Sequence, residues 1–268
     1  MDVSPVPTHG LALDEICFDG LRVFEAAHRP ALRIAQHEHD LVKICIVLEG
    51  AFVERNGADL RSLRPNDVLV RASRRLHINQ YGGNGARSLL LELPPDHPSI
   101  AALRRFETSA VPREPVARAA AELARAFHDR GHDRVKSTRT AMRSLVAAVV
   151  ASGTLRARPS WLDAIRERLD ERFAEPLALE DLARMANVHP VHVSQAFHAH
   201  FGQSLTAYLR ALRVFHATEL LWSGADITAA AMACGFCDQS HLTHAFQRER
   251  QMAPGQYRAA MVGSAGKP

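Results

Sequence analysis

The chain has 268 residues, 47% of them hydrophobic and 23% charged, a balance that excludes disorder and collagen-like repetition and leaves one or two globular domains. Four cysteines, Cys17, Cys45, Cys234 and Cys237, are too few for a disulfide framework in a chain long enough to bury its own core, so a reducing compartment is expected. A net charge of +4, from 33 basic and 29 acidic residues, hints at a polyanionic partner without specifying one. The opening MDVSPVPTHG has no basic and apolar leader pattern, and no run reaches the roughly 20 apolar residues of a bilayer span, so a cytoplasmic protein without a membrane partner is expected.

From about Leu21 to Leu93 short alternating stretches are punctuated by turn residues, the pattern of small antiparallel strands. Leu32, Ile34 and Gln36 alternate with Arg33 and Ala35, and Ile44, Ile46 and Leu48 form a run expected to close at Glu49-Gly50. Asn56-Gly57 marks a hairpin, because both residues tolerate the positive φ that tight hairpin turns use. Pro65-Asn66-Asp67 and Gly82-Gly83-Asn84-Gly85 read as further turns, the second leading into Leu89-Leu90-Leu91. Strands at this spacing predict a small antiparallel β-barrel or sandwich over residues 10–94, with an interior able to hold a small ligand.

Beyond Pro94-Pro95 the spacing turns helical, with helices expected near Ile100–Phe106, Pro115–His128 and Val135–Ala151, a helical segment over 95–151. Residues 152–160, rich in Gly, Pro and Ser, read as a linker, and 161–262 as an all-helical domain. Its expected helices are Trp161–Phe173, Leu179–Ala186, one opened by Pro190 and running to Phe201, Leu205–Trp222, one capped by Asp226 or Thr228, and Gln239–Arg250 as the last before Pro254. The whole chain therefore reads as α+β.

Two segments of this last domain, about 179–202 and 227–250, repeat one design of short helix, tight turn and second short helix. In the first, Leu182, Ala183 and Ala186 pack on Val193 and Phe197; in the second, Ala231, Phe236, Leu242 and Phe246 pack together. The polar residues left outside fit helix-turn-helix units whose second helices enter a major groove. The stretch GFCDQSHLTHAFQRERQMAPGQYR (Gly235–Arg258) resembles the signature of the AraC/XylS family of bacterial transcription regulators, and Leu177–Arg213 is similar to that family's first helix-turn-helix. The N-terminal half is similar, more loosely, to cupin-like sensor barrels. The resemblance implies two recognition helices joined by a rigid helix and set in successive major grooves, dimerisation through 95–151, contact with RNA polymerase, and an effector that repositions the DNA-binding domains across the linker.

The residues expected to reach DNA are His189, His192, Ser194, Gln195 and His198 in the first unit and Asp238, Gln239, Ser240, His241, Thr243, His244 and Arg248 in the second. Arg210 and Arg213 on the connecting helix are expected to reach phosphates. Many family members carry a basic residue where this chain has Gln195, His198 and His244. Gln can bond adenine bidentately, and exposed imidazoles predict that DNA affinity rises as pH falls toward the histidine range near ~6.5. Overall charge does not mark this half, since 23 basic and 18 acidic residues precede the break at Arg158 and only 10 and 11 follow it.

His37 and His39, two apart on one strand face, together with His77, resemble the histidine set of metal-binding cupins. The usual glutamate of that set falls at Lys43, whose ammonium opposes a dication and suits an anion. His37, His39, Lys43 and His77 are therefore read as an effector pocket, with no cofactor expected; a metal-dependent enzyme or metal sensor built on the three histidines is the alternative. Cys234-Gly235-Phe236-Cys237 has redox-motif spacing but falls in the second helix-turn-helix turn, where small buried residues explain it. No phosphate loop, nucleophile elbow or supported carboxylate pair occurs, so catalysis is not expected; a protein-binding adaptor is the third reading.

Overall fold

The computed structural model describes residues 10–71, 74–103, 114–153 and 159–265. Seven antiparallel strands come first: β1 (Leu11–Phe18), β2 (Leu21–His28), β3 (Arg33–His37), β4 (Val42–Asn56), β5 (Asp59–Leu63), β6 (Val68–Arg71) and β7 (His77–Leu93). The sequence pattern does not announce β1, because Leu11 and Leu13 are exposed and only Ile16 and Phe18 turn inward.

Strands β4 and β7 are long, and each serves two layers. In one layer the N-terminal half of β4 lies between β6 and the C-terminal half of β7, with β2 and β1 beyond. In the other, Phe52–Asn56 of β4 lies between β5 and the start of β7, with β3 beyond. Glu49-Gly50 and Gly82–Gly85, expected as a strand end and a turn, are instead places where β4 and β7 continue and bend. Gly50 (φ +73°) pairs with Ala86, and a Cβ there would stand 2.1 Å from the Gly85 carbonyl oxygen, so the crossing needs glycine. The outcome is a cupin-like sheet folded over on itself; among the described residues β1 and β5 each pair on one side only, so the ladder does not close.

Both faces of the first layer are covered, which is why its strands read as nearly continuous apolar runs. Ile44, Ile46, Leu89 and Leu91 face outward into a core shared with α1 (Ile100–Leu103), α2 (Glu114–His128) and α3 (Arg134–Gly153). Cys45, Val47 and Leu90 point the opposite way, into the space between the layers with Phe24, Phe52 and Tyr81. The last residues of the expected Ile100–Phe106 helix and most of the expected linker lie outside the described residues.

The rest is helical: α4 (Ser160–Glu171), α5 (Leu179–Ala186), α6 (Pro190–Phe201), α7 (Leu205–Trp222), α8 (Ile227–Ala233), α9 (Gln239–Arg250) and α10 (Pro254–Ala265). Pro190 occupies the first turn of α6, and the Asp226 carboxylate caps α8 by accepting from the Thr228 and Ala229 amides. Helix α10 is absent from the sequence reading, which took Pro254 as a terminator; a proline is equally suited to opening a helix. Two cores share α7. Its N-terminal half packs with α4, α5 and α6 through Leu169, Leu182, Val193, Phe197 and Leu212. Its C-terminal half packs with α8, α9 and α10 through Leu221, Ala231, Phe236, Leu242, Phe246 and Tyr257.

Candidate nucleic-acid interface and histidine cavity

Each core fixes one helix-turn-helix unit and leaves one polar face outside. On α6, Val193 and Phe197 are fully buried, which turns His192, Ser194, Gln195 and His198 to solvent, with His192 set against Trp161 at 5.8 Å between ring centroids. On α9, burial of Leu242, Ala245 and Phe246 leaves Gln239, Ser240, His241, His244 and Arg248 exposed. Several expected contact residues also hold the units together. His189 caps α6, its Nδ1 accepting from the Val191 amide at 3.3 Å; Asp238 caps α9, accepting from the His241 amide at 2.7 Å. Thr243 is half-buried and donates its hydroxyl to the Gln239 carbonyl, while Gln239 accepts from the Thr228 hydroxyl.

The two arginines of α7 are occupied inside the molecule. Arg213 donates to the carbonyls of Phe173, Gly235 and Glu175, bracing the ends of both units, and Arg210 donates to Glu249, whose side chain is 3% exposed. Nε and both Nη of Arg213, and Nε of Arg210, therefore already have protein acceptors, an arrangement that spacing along one helix does not disclose. Cys234 is buried, which pushes its thiol up to about 11, and Cys237 is exposed; both are free thiols. Burial accounts for the first cysteine of the pair as packing.

The three N-terminal histidines converge. One ring nitrogen from each of His37, His39 and His77 lies within 4.8 Å of the others. His37 and His77 donate Nδ1–H to the carbonyls of Ala35 and Arg75 at 2.8 and 2.9 Å, which leaves the lone pair on Nε2 in the neutral rings. Nε2 of His77 is buried without a hydrogen bond, 4.0 Å from the Glu54 carboxylate. Burial, then Lys43 and Arg71, push His39 down to about 2, so its ring is neutral at physiological pH.

The cavity around them measures about 40 Å³, far below the roughly 300–1,000 Å³ of pockets that enclose organic ligands. Lys43 lines it as expected, but its ammonium is already taken by Glu92 at 2.8 Å, and Arg71 is taken by Glu54 at 2.5 Å. Each cation is neutralised where it stands, so the cavity wall offers no unmatched positive charge to an anion. Glu54, Arg71 and Asn79 were missed in the sequence, where nothing local distinguishes a buried strand carboxylate from an exposed one.

Also unforeseen is how the helical domain sits. The second sheet layer forms the cavity with one face and meets α4 and α7 with the other: Val53, Leu60 and Ile78 enter the first helical core. Arg33 grips Glu219 with two bonds of 2.8 and 2.6 Å, and Arg55 holds Asp170 at 2.6 and 2.9 Å. Arg166 reaches back to Asp59, and the Tyr257 hydroxyl donates to the Tyr81 carbonyl at 2.9 Å. The glycines read as a turn serve this contact, since a Cβ on Gly83 would fall 2.5 Å from the Met252 Cβ.

Two helix-turn-helix cores sharing α7, each leaving a polar face of its second helix exposed, form one helical module. Residues 182–260 match the model of a family described as helix-turn-helix domain. Relatives include the uncharacterized HTH-type transcriptional regulator YijO of Escherichia coli (strain K12), 33% identical over 98 residues, which are 36% of this chain and 34% of that protein. The HTH-type transcriptional activator RhaR of Salmonella schwarzengrund (strain CVM19633) is 32% identical over 102 residues, 38% of this chain and 36% of that protein. The chain thus spans about a third of the length of the curated relatives it matches. Among solved structures, the DNA-binding domain of AdpA in complex with a target DNA is 26% identical with a TM-score of 0.38, covering 40% of this chain and 97% of that one. ToxT from Vibrio cholerae O395 is 10% identical with a TM-score of 0.41, covering 91% of this chain and 98% of that one. The C-terminal region is therefore a helix-turn-helix domain similar to those of HTH-type transcriptional regulators, and it includes the motif at Gly235–Arg258.

Proposed function

We propose that the chain is a sequence-specific DNA-binding transcriptional regulator whose N-terminal sheet senses a small effector in the histidine cavity. The observation that carries this reading is the pair of separately cored helix-turn-helix units, each presenting an exposed polar face of its second helix. Gln195, His198, Gln239, Ser240, His241 and His244 read bases, and Arg248 reaches phosphate. The chain acts without catalysis, in the cytoplasm, as a homodimer joined through α2 and α3 that engages RNA polymerase; among the described residues no helix is long and apolar enough to cross a membrane.

Selecting bound sequences from random double-stranded DNA with the full chain tests this. A defined motif is expected, and Gln195→Ala should relax it at one position by about 1–3 kcal/mol while leaving the others unchanged. Retention of no sequence above background overturns the reading.

A second reading of the effector rests on the three imidazoles. Their converging nitrogens, the carbonyl acceptors that fix two ring orientations, and a cavity of about 40 Å³ suit a divalent transition-metal ion better than a metabolite. His37, His39 and His77 would hold it, and the ion would act as a structural clamp between β3 and β7. Titrating untagged protein with Zn²⁺ should show one equivalent bound and none in His77→Ala; absence of binding in the wild type rejects the metal.

A further inference from the structure

We propose that Gln80 couples the histidine cavity directly to the second helix-turn-helix unit, so that the cavity wall itself, rather than the linker, carries the regulatory signal. This rests on the regulator reading given above and assigns the contact through which that regulation passes.

The starting point is the twofold alternation of β7. His77, Asn79 and Tyr81 line the cavity, whereas Ile78 and Gln80 face the helical domain from the same five-residue stretch. Backbone displacement at Asn79 or Tyr81 cannot leave Gln80 in place, because the two faces share one strand. Gln80 is fully buried, and its amide uses both ends. The nitrogen donates to the Glu219 carboxylate at 2.5 Å and to the Phe215 carbonyl at 3.4 Å, both on α7. The oxygen accepts from the guanidinium of Arg250, the last residue of the second recognition helix.

Arg250 makes that acceptor consequential. It is 1% exposed, and among the described residues its other side-chain hydrogen bond is to the Thr218 hydroxyl at 3.5 Å. A buried guanidinium deprived of its acceptor is strongly unfavourable, so the end of α9 stays where Gln80 stays. Glu219 is likewise shared between Gln80 and Arg33 of β3, whose neighbour Ile34 lines the cavity. One amide therefore ties the connecting helix and the recognition helix to the back of the sensing wall. An occupant that shifts β7 changes the angle at which α9 is presented, with no segment having to unfold.

Hydrogen–deuterium exchange on the full chain tests the coupling without any ligand. Asn79→Ala perturbs the cavity face next to Gln80 and should speed exchange in Phe215–Glu219 and Gln247–Arg250 by about fivefold or more, an effect that disappears when Gln80→Leu is already present. No change in those segments, or the same change in both backgrounds, overturns the proposal. Gln80→Glu provides an independent arm, because it keeps an acceptor for Arg250 while setting a carboxylate against Glu219. Loosening confined to Phe215–Glu219 is expected; equal loosening at both segments, or none, counts against the role of the amide. Neither arm uses DNA, so a wild-type chain that selects no DNA defeats the regulator reading alone, and additive exchange in a chain that does select DNA defeats the coupling alone.

Discussion

Replacing Glu54 by alanine should cost the chain about 3–5 kcal/mol, seen as a lowered urea midpoint, because it strands a guanidinium inside the sheet. Glu54 is 2% exposed and Arg71 9%; the carboxylate accepts from Arg71 Nε at 2.5 Å and from Asn79 Nδ2 at 3.1 Å. Removing both partners together, as Glu54→Leu with Arg71→Met, should cost much less than Glu54→Ala, since two apolar groups leave no charge unpaired. A pH dependence accompanies this. Burial pushes the Glu54 carboxyl up, but Arg71, His77 and Asn79 together outweigh it and hold the group below its ordinary value of 4.5. A carboxyl depressed in the folded state stabilises fully above that ordinary value and loses its contribution as pH falls through the folded value. Wild-type stability should therefore drop on acidification below about pH 4.5, with Glu54→Ala showing a shallower fall. Equal stability of wild type and Glu54→Ala at pH 7 would contradict the pairing.

Phe246→Ala should have a comparable cost, about 3–5 kcal/mol, and should also abolish DNA retention. Its ring is fully buried in α9, 5.3 Å from the Tyr257 ring at an interplanar angle of 75°, and shares its core with Phe236 and Leu242. The exposed face of α9 is turned outward by that core, whereas Phe197 anchors α6 in the other. Full DNA affinity in a folded Phe246→Ala chain would show that the second unit does not read DNA.

The helical half was legible because its signals are local. Asp226 caps α8 as expected and Pro190 opens α6, while Asp238, expected to reach DNA, and Ser204 also turn out to be caps. The apolar spacing placed Leu182, Ala183, Val193 and Phe197 in one core and Ala231, Phe236, Leu242 and Phe246 in the other. In the N-terminal half, the hairpin signalled by Asn56-Gly57 was equally local and is present, though its central residues are Gly57, at φ +56°, and Ala58, between the paired Asn56 and Asp59. What failed were the bends at Gly50 and Gly82–Gly85, where glycine allows either a turn or a kinked continuation and only the partner strand decides. The cavity histidines were found from their resemblance to a cupin histidine set, although His39 lies just past β3 rather than on one strand face with His37. The pairing of Lys43 with Glu92, by contrast, spans a sheet. Gln80, Glu219 and Arg250 lie far apart in sequence and carry no mutual signal at all.

The docking of the two halves also bears on how the DNA-reading half behaves when severed. Arg33 and Arg55 of the sheet neutralise Glu219 and Asp170 of the helices, with Arg166 and Asp59 the reverse case. Cutting at the linker strips both carboxylates of their counterions and opens the buried guanidinium of Arg250 to water. A C-terminal fragment would thus present an electrostatic surface that the intact chain never shows, and salt titrations performed on it would describe a different polyelectrolyte.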